Sequence, residues 1–96
     1  MPPPKPIKFS PKAIEDIQNI LLYTLKTWGE FQTRKYNNSL QKTFELMSTN
    51  PLIGIEQPEL EARMLVVEQH RIFYSVDDNY IFIQRIVHKK MSMSSH

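Results

Sequence analysis

The stretch IFIQRIVHKKM, Ile81 to Met91, begins as an aliphatic strand and ends in a histidine and two lysines. A histidine can give or take a proton near neutral pH, and neighbouring cations can hold a phosphate as charge develops on it. Cleavage of a phosphodiester by a neighbouring hydroxyl needs a base, an acid and cations of this kind. The chain's candidates for such chemistry are Arg63, His70, Arg71, Tyr74, Arg85, His88, Lys89 and Lys90. The same residues could equally form a patch for nucleic acid, a contact for a protein partner, or a solvated strand end.

Alternation along the last strand sorts them. Ile81, Ile83, Arg85 and Val87 fall on one face, and Tyr80, Phe82, Gln84, Ile86 and His88 on the other. His88 thus follows Phe82 and Ile86 on a mainly apolar side, where a hydrogen-bonded place at the rim of the core is favoured over proton transfer or partner contact. Arg85 interrupts an aliphatic face. Burying it unpaired would be costly, so it either forms an ion pair or contacts a partner. Lys89 and Lys90 are by default solvated cations. Met91 beside them is an adaptable apolar contact, and the tail beyond could order on a partner. His70 and Arg71 open a strand and are expected to be exposed, whereas Tyr74 aligns with Ile72 and Val76 as core. The basic residues are scattered singly among apolar ones, which favours binding over catalysis. No metal or cofactor is expected: His70, His88 and His96 lack ligand spacing, cysteine is absent, and Gly29 and Gly54 make no phosphate loop.

Ninety-six residues are enough for one domain with a modest core. Hydrophobic residues at 41% and charged residues at 23% fit an ordinary soluble globular chain. The lack of cysteine fits a reducing cytoplasm. The start, MPPPKPIKF, has no apolar run of the kind a secretory signal carries, and no stretch approaches the roughly 18 apolar residues of a membrane span. Twelve cations against ten anions are too slight a bias to argue for nucleic acid.

Pro2, Pro3, Pro4 and Pro6 make residues 1–6 an extended, flexible arm. Ile7, Lys8 and Phe9 read as a short strand at a sheet edge. Ser10-Pro11 is a helix start, with serine as cap and proline where a missing N–H does no harm. Phe9 and Ile14 are spaced for a hydrophobic staple, and Glu15 and Asp16 lie near the positive end of the helix dipole. Ile14, Ile17, Leu21, Leu25 and Trp28 then mark one buried face. Gly29 suits a left-handed stop, and a second run follows at once: Phe31, Tyr36, Leu40, Phe44 and Met47. So short a link makes the helices antiparallel neighbours. Ile20, Leu22 and Tyr23 spread apolar surface around the first helix beyond one stripe, as a deeply buried helix or a groove for a partner requires.

The second helix should stop before Asn50-Pro51. PLIGIEQPELEA reads as a loop, and Arg63–Val67, Arg71–Val76 and Tyr80–Val87 as strands joined by hairpin-length turns. The order strand, helix, helix, strand, strand, strand gives a two-layer α+β domain, β-α-α-β-β-β. It comprises an N-terminal strand, an antiparallel helical hairpin and a three-stranded antiparallel meander.

In that order, Ser10, Ile20, Tyr23, Trp28-Gly29, Asn50-Pro51, Gly54, Phe73-Tyr74, Val76, Ile83, Arg85, His88 and Met91 resemble the recurring positions of the RelE/ParE toxin superfamily, with the ParE branch favoured. The resemblance covers residues 7–91 as a single domain, leaving 92–96 as a flexible tail. Ser92 stands where an acidic residue often follows the methionine, and Glu56, Glu59 and Glu61 occupy a loop that is often basic. The resemblance implies the toxin of a type II toxin–antitoxin system of the plasmid-stabilising kind, acting in the bacterial cytoplasm. It would inhibit DNA gyrase and be neutralised, in a hetero-oligomer, by a cognate ParD-like antitoxin. No membrane association or sequence-specific DNA binding is expected. Target contacts would come from Arg85, His88, Lys89, Lys90 and Met91, and antitoxin contacts from Ile20, Tyr23, Trp28 and Tyr36. Two alternatives stay open. One is a RelE-like ribosome-dependent mRNA endonuclease using His88, Arg85 and Arg71. The other is a degenerate toxin that retains only antitoxin binding.

Overall fold

The computed structural model describes residues 3–91. A short strand β1 (Ile7–Phe9) leads into helices α1 (Pro11–Trp28) and α2 (Glu30–Thr49). Strands β2 (Ile55–Gln57), β3 (Ala62–Val67), β4 (His70–Val76) and β5 (Ile81–His88) follow. The result is the expected α+β arrangement, with the helical hairpin laid on one face of the sheet. The sheet has five strands in the order β1-β5-β4-β3-β2. β1 is at an edge as expected and runs parallel to β5, whereas the other pairings are antiparallel. The stretch expected to be loop alone contains β2, a second edge strand of three residues between two short 3-10 turns.

Helix α1 starts as its sequence requires. The Ser10 side chain accepts from the Ala13 amide at 2.9 Å, and proline occupies the first turn. Gly29 ends α1 and opens α2 with φ +92° and ψ 177°. The positive φ is the one expected of glycine, but ψ lies outside the left-handed helical well. The second helix buries Tyr36, Leu40, Phe44 and Met47, as its periodicity indicates. Phe31 differs: at 77% exposure it belongs to the surface.

The face of α1 needs a larger correction. Ala13 and Thr24 are its buried residues, flanked by the half-buried Ile17, Ile20 and Leu21. Ile14, Leu25 and Trp28 are exposed instead of core. Ala13 lies in the core under the hairpin, and Thr24, about three turns on along the same side of the helix, is buried with its hydroxyl donating to the Ile20 carbonyl. Periodicity counts apolar side chains and overlooks Ala13 and Thr24. The expected staple partner is therefore turned outward, and Phe9 meets Phe44 edge-on at 5.3 Å. Ile72, Tyr74, Ile81, Ile83 and Ile86 complete the core under the hairpin.

Strict alternation also fails within β5. Tyr74 pairs with Ile83 but Phe73 pairs with Arg85, so Gln84 is an extra residue. Before this bulge, Ile81 and Ile83 face the helices; after it, Ile86 does. The bulge falls where β1 ends and the chain turns into α1. There the Ser10 amide donates to the Ile83 carbonyl at 2.9 Å, and the Ser10 hydroxyl donates to the Gln84 carbonyl at 2.7 Å.

Lys5, within the proline arm, is fastened at both ends of its structure. Its amide donates to Ser48, its carbonyl accepts from the Ser48 hydroxyl, and its ammonium donates to the carbonyls of Asp77 and Asp78. Met1 and Pro2, where the arm is expected to be most flexible, and the tail 92–96 lie outside the described residues.

Candidate functional site

The bulge decides where His88 lies. From Ile86 onward the even-numbered residues of β5 face the helices, so His88 stands on the same side as Ile86 and directly opposite His70 of β4. The two imidazoles meet edge-on with centroids 5.4 Å apart. His70 in turn meets the Tyr36 ring edge-on at 5.5 Å, and its Nδ1 shares a hydrogen bond with the Tyr36 hydroxyl. That hydroxyl also donates to the Val67 carbonyl at 3.4 Å. Three side chains from α2, β4 and β5 thus form one stack at the end of the sheet. Sequence reasoning places His70 on the surface and assigns Tyr36 to the antitoxin, so it misses the stack. Spacing alone does not signal it: His70 lies six residues before Val76 and His88 seven after Ile81, and the extra residue Gln84 is what brings the two histidines opposite each other.

The stack is half-buried and its protonation is biased. Burial, then the neighbouring His88, lowers the His70 pKa; Asp16 opposes the shift without cancelling it. Burial and the charge of Glu68 raise the Tyr36 hydroxyl well above the ordinary tyrosine value. At neutral pH the inner pair is therefore a neutral imidazole and a neutral phenol. His88 lies at the mouth, where its Nδ1 accepts from the Lys90 amide at 3.1 Å. The turn that follows is also held by Lys89 donating to the Gln69 carbonyl and Met91 donating to that of His88, each at 2.8 Å. The side chains of Lys89, Lys90 and Met91 are exposed.

Arg85 makes an ion pair. Its Nε and Nη2 donate to the two oxygens of Asp16 at 2.8 and 3.1 Å, which raises the Arg85 pKa. The same carboxylate accepts from the Ile86 amide at 2.9 Å, on the stretch of β5 that β1 no longer covers. Arg71 sits between Val66 and Val87 in register, alternating with His70 and Ile72, and so lies on the sheet face away from the stack. The runner-up catalytic set is therefore divided: His88 at the mouth, Arg85 held by Asp16, Arg71 across the sheet.

Arg63 and Tyr74 serve the opposite end of the sheet. Tyr74 is fully buried, as expected, with its hydroxyl accepting from the Gly54 amide at 2.8 Å and donating to the Pro51 carbonyl at 2.9 Å. Arg63 donates to the carbonyls of Leu52 and Gly54 and to Glu56. Both line a cleft of about 680 Å³ with Lys5, Glu61, Asp77 and Asp78, but their polar atoms are engaged in holding the loop.

The residues expected to meet an antitoxin also separate. Tyr36 is buried in the stack and Ile20 packs against the core. Tyr23, at 65% exposure, and Trp28, at 70%, stay on the surface with Leu22, Leu25 and Phe31, around the elbow of the hairpin. Among the described residues no three histidine, cysteine or acidic side chains are grouped to hold a metal ion, and no helix is long and apolar enough to cross a membrane.

An edge strand, a helical hairpin on one face of a mostly antiparallel sheet, and a basic end to the last strand agree with the arrangement that a likeness to the RelE/ParE superfamily implies. The sequence profile of the ParE toxin of type II toxin–antitoxin system, parDE, matches residues 7–93, and the chain belongs to that family. Toxin ParE1 of Caulobacter vibrioides is 31% identical over 94 residues, covering 96% of this chain and 97% of that protein. In fold the chain is similar to a chain of the chromosomal ParDE system from P. aeruginosa, with a TM-score of 0.74 and 19% identity, covering 88% of this chain and 95% of that one. It is also similar to a chain of the RelBE2 toxin–antitoxin complex from Mycobacterium tuberculosis, with a TM-score of 0.64 and 19% identity, covering 90% of this chain and 99% of the other.

Proposed function

We propose that this protein acts by binding: it inhibits DNA gyrase in the bacterial cytoplasm and is neutralised by a ParD-like antitoxin in a hetero-oligomer. The observation that carries this reading is the exposure of three aromatic residues, Tyr23, Trp28 and Phe31, on the last turns of α1 and the first of α2. Large aromatic side chains left in water on either side of the elbow suit a surface that a partner covers, and an amphipathic helix is one such partner. The similar folds from P. aeruginosa and M. tuberculosis come from toxin–antitoxin systems, which supports an antitoxin as that partner. Target contact falls to the turn after β5, at the end of the sheet toward which the elbow also points, since Tyr36 near the start of α2 meets His70 opposite His88. Lys89, Lys90 and Met91 project there, with His88 anchoring their turn and Arg85 fixing the strand that presents them. Supercoiling by purified gyrase is expected to fall, or cleaved DNA complexes to accumulate, as the protein is added. No effect at saturating protein would overturn the gyrase assignment. Removal of residues 89–96 is expected to abolish toxicity while antitoxin binding persists; equal loss of both would make the segment structural.

One observation favours a second reading. Tyr36, His70 and His88 supply a hydroxyl and two imidazoles beside the Lys89–Lys90 pair, a set from which an endoribonuclease could draw acid, base and cations. Codon-dependent cuts in ribosome-bound mRNA, mapped by primer extension and lost in His88→Ala, would establish that activity in place of the first.

A further inference from the structure

We propose that the Tyr36–His70–His88 stack is a proton-sensitive latch, which holds the turn Lys89–Met91 against the sheet when the imidazoles are neutral and frees it when they are protonated. The geometry is specific. The Lys90 amide can donate to His88 Nδ1 only while that nitrogen keeps its lone pair, so a proton there removes the bond. His70 and His88 are directly opposed across two antiparallel strands, where side chains approach closely, and their rings are already in contact. Charging both places two cations edge to face in a half-buried site. Lys89 and Lys90 add positive charge immediately after His88.

The other groups around the stack set the balance. From α2, Tyr36 is neutral and holds His70 by hydrogen bond. From the β3–β4 turn, the exposed Glu68 accepts the Ser39 hydroxyl through one oxygen and keeps its charge. From α1, Asp16 favours a protonated His70, but its charge is shared with Arg85 on β5. Among the described residues neither carboxylate is hydrogen-bonded to His70 or His88, so two imidazoliums would lack a bonded counter-ion in this arrangement. Protonation is therefore relieved by movement, and the segment able to move is the exposed turn after His88. The Gln69 and His88 carbonyls that bind Lys89 and Met91 do not titrate, so the turn loosens at Lys90 first.

The consequence for function rests on the reading that residues 89–91 meet the target; the latch itself does not. Two measurements keep them apart. In the ¹⁵N-labelled full chain, compared at about pH 7.5 and about pH 5, the Lys90 amide resonance is expected to move together with the His88 ring signals. In His88→Asn the side-chain oxygen replaces Nδ1 as a non-titrating acceptor, and the Lys90 shift is expected to become flat with pH. A Lys90 amide that does not follow His88, or that titrates unchanged in His88→Asn, overturns the latch. Binding to purified gyrase is then compared at the two pH values for the natural chain and His88→Asn. A change of severalfold or more in the natural chain, absent from the variant, ties the latch to the target surface. A working latch with pH-independent gyrase binding overturns that surface assignment and leaves the latch standing.

Discussion

Asp16 on the second turn of α1 holds Arg85 of β5 through two hydrogen bonds, and with the same carboxylate closes the Ile86 amide of the bulged strand. One side chain thereby pairs a half-buried guanidinium and completes a sheet edge where β1 has ended. Asp16→Ala should cost roughly 2–3 kcal/mol in denaturant unfolding, the range for losing charge-assisted bonds and leaving a partly buried cation unpaired. Asp16→Asn keeps an acceptor for Ile86 and should cost less. Equal losses for the two would show that charge contributes nothing.

Gly54 and Tyr74 make a second tight relationship. A Cβ at Gly54 would lie about 2.5 Å from the Tyr74 hydroxyl and 2.8 Å from a ring carbon. Gly54→Ala is expected to destabilise by roughly 1–3 kcal/mol through overpacking, and Tyr74→Phe by a similar amount through loss of the Gly54 and Pro51 bonds. The two share one contact, so the double variant should lose less than the sum of the singles. Strict additivity in thermal or denaturant melts would refute the shared contact.

Stability should fall on mild acidification. The His70 pKa is lowered in the folded protein, so the unfolded chain binds more protons below its ordinary value of about 6.5. The stabilising effect is therefore complete above that pH and declines as pH falls toward the folded value. Asp77, whose pKa is lowered mainly by the Tyr80 and Asn79 amides, acts in a separate window, below the ordinary carboxylate range. Urea midpoints measured from pH 7.5 to 5 should show a slope that His70→Phe reduces. An unchanged slope in that variant would place the effect elsewhere.

The exposed aromatic residues on either side of the elbow should separate partner binding from folding. Trp28→Ala and Phe31→Ala are expected to move stability by no more than about 0.5 kcal/mol, as surface changes generally do. Leu40→Ala, in the core, is expected to lose about 2–5 kcal/mol. With purified antitoxin, each aromatic truncation should weaken binding tenfold or more if it is an anchor of the interface. Full affinity in a Tyr23→Ala/Trp28→Ala double variant would move the antitoxin to another face.

Toxicity assays can use the same division. Lys89→Ala/Lys90→Ala leaves every described hydrogen bond of the turn in place, because these are made by backbone groups and His88. Loss of growth inhibition by this pair, with antitoxin binding intact, is the expected outcome. Retained toxicity would remove the lysines from the target surface.

The sequence by itself determined the element order apart from β2, the Ser10-Pro11 start, the buried face of α2 from Tyr36 onward and the core position of Tyr74. Each of these depends on local spacing, cap chemistry or a run of apolar residues. It also carried the family likeness, because the order of its motifs survives without a fold. Three matters were decided only in three dimensions. The inner face of α1 runs through Ala13, Ile17, Ile20, Leu21 and Thr24, and a search for large apolar residues passes over its two buried members, Ala13 and Thr24. The bulge at Gln84 reverses the facing of β5 halfway along, since the edge must pass from β1 to the first turns of α1. That reversal puts His88 over His70 and His70 over Tyr36, although Tyr36 and His88 lie on separate elements far apart in the chain. Sequence could name the histidines and the cations; the register alone determined which of them meet.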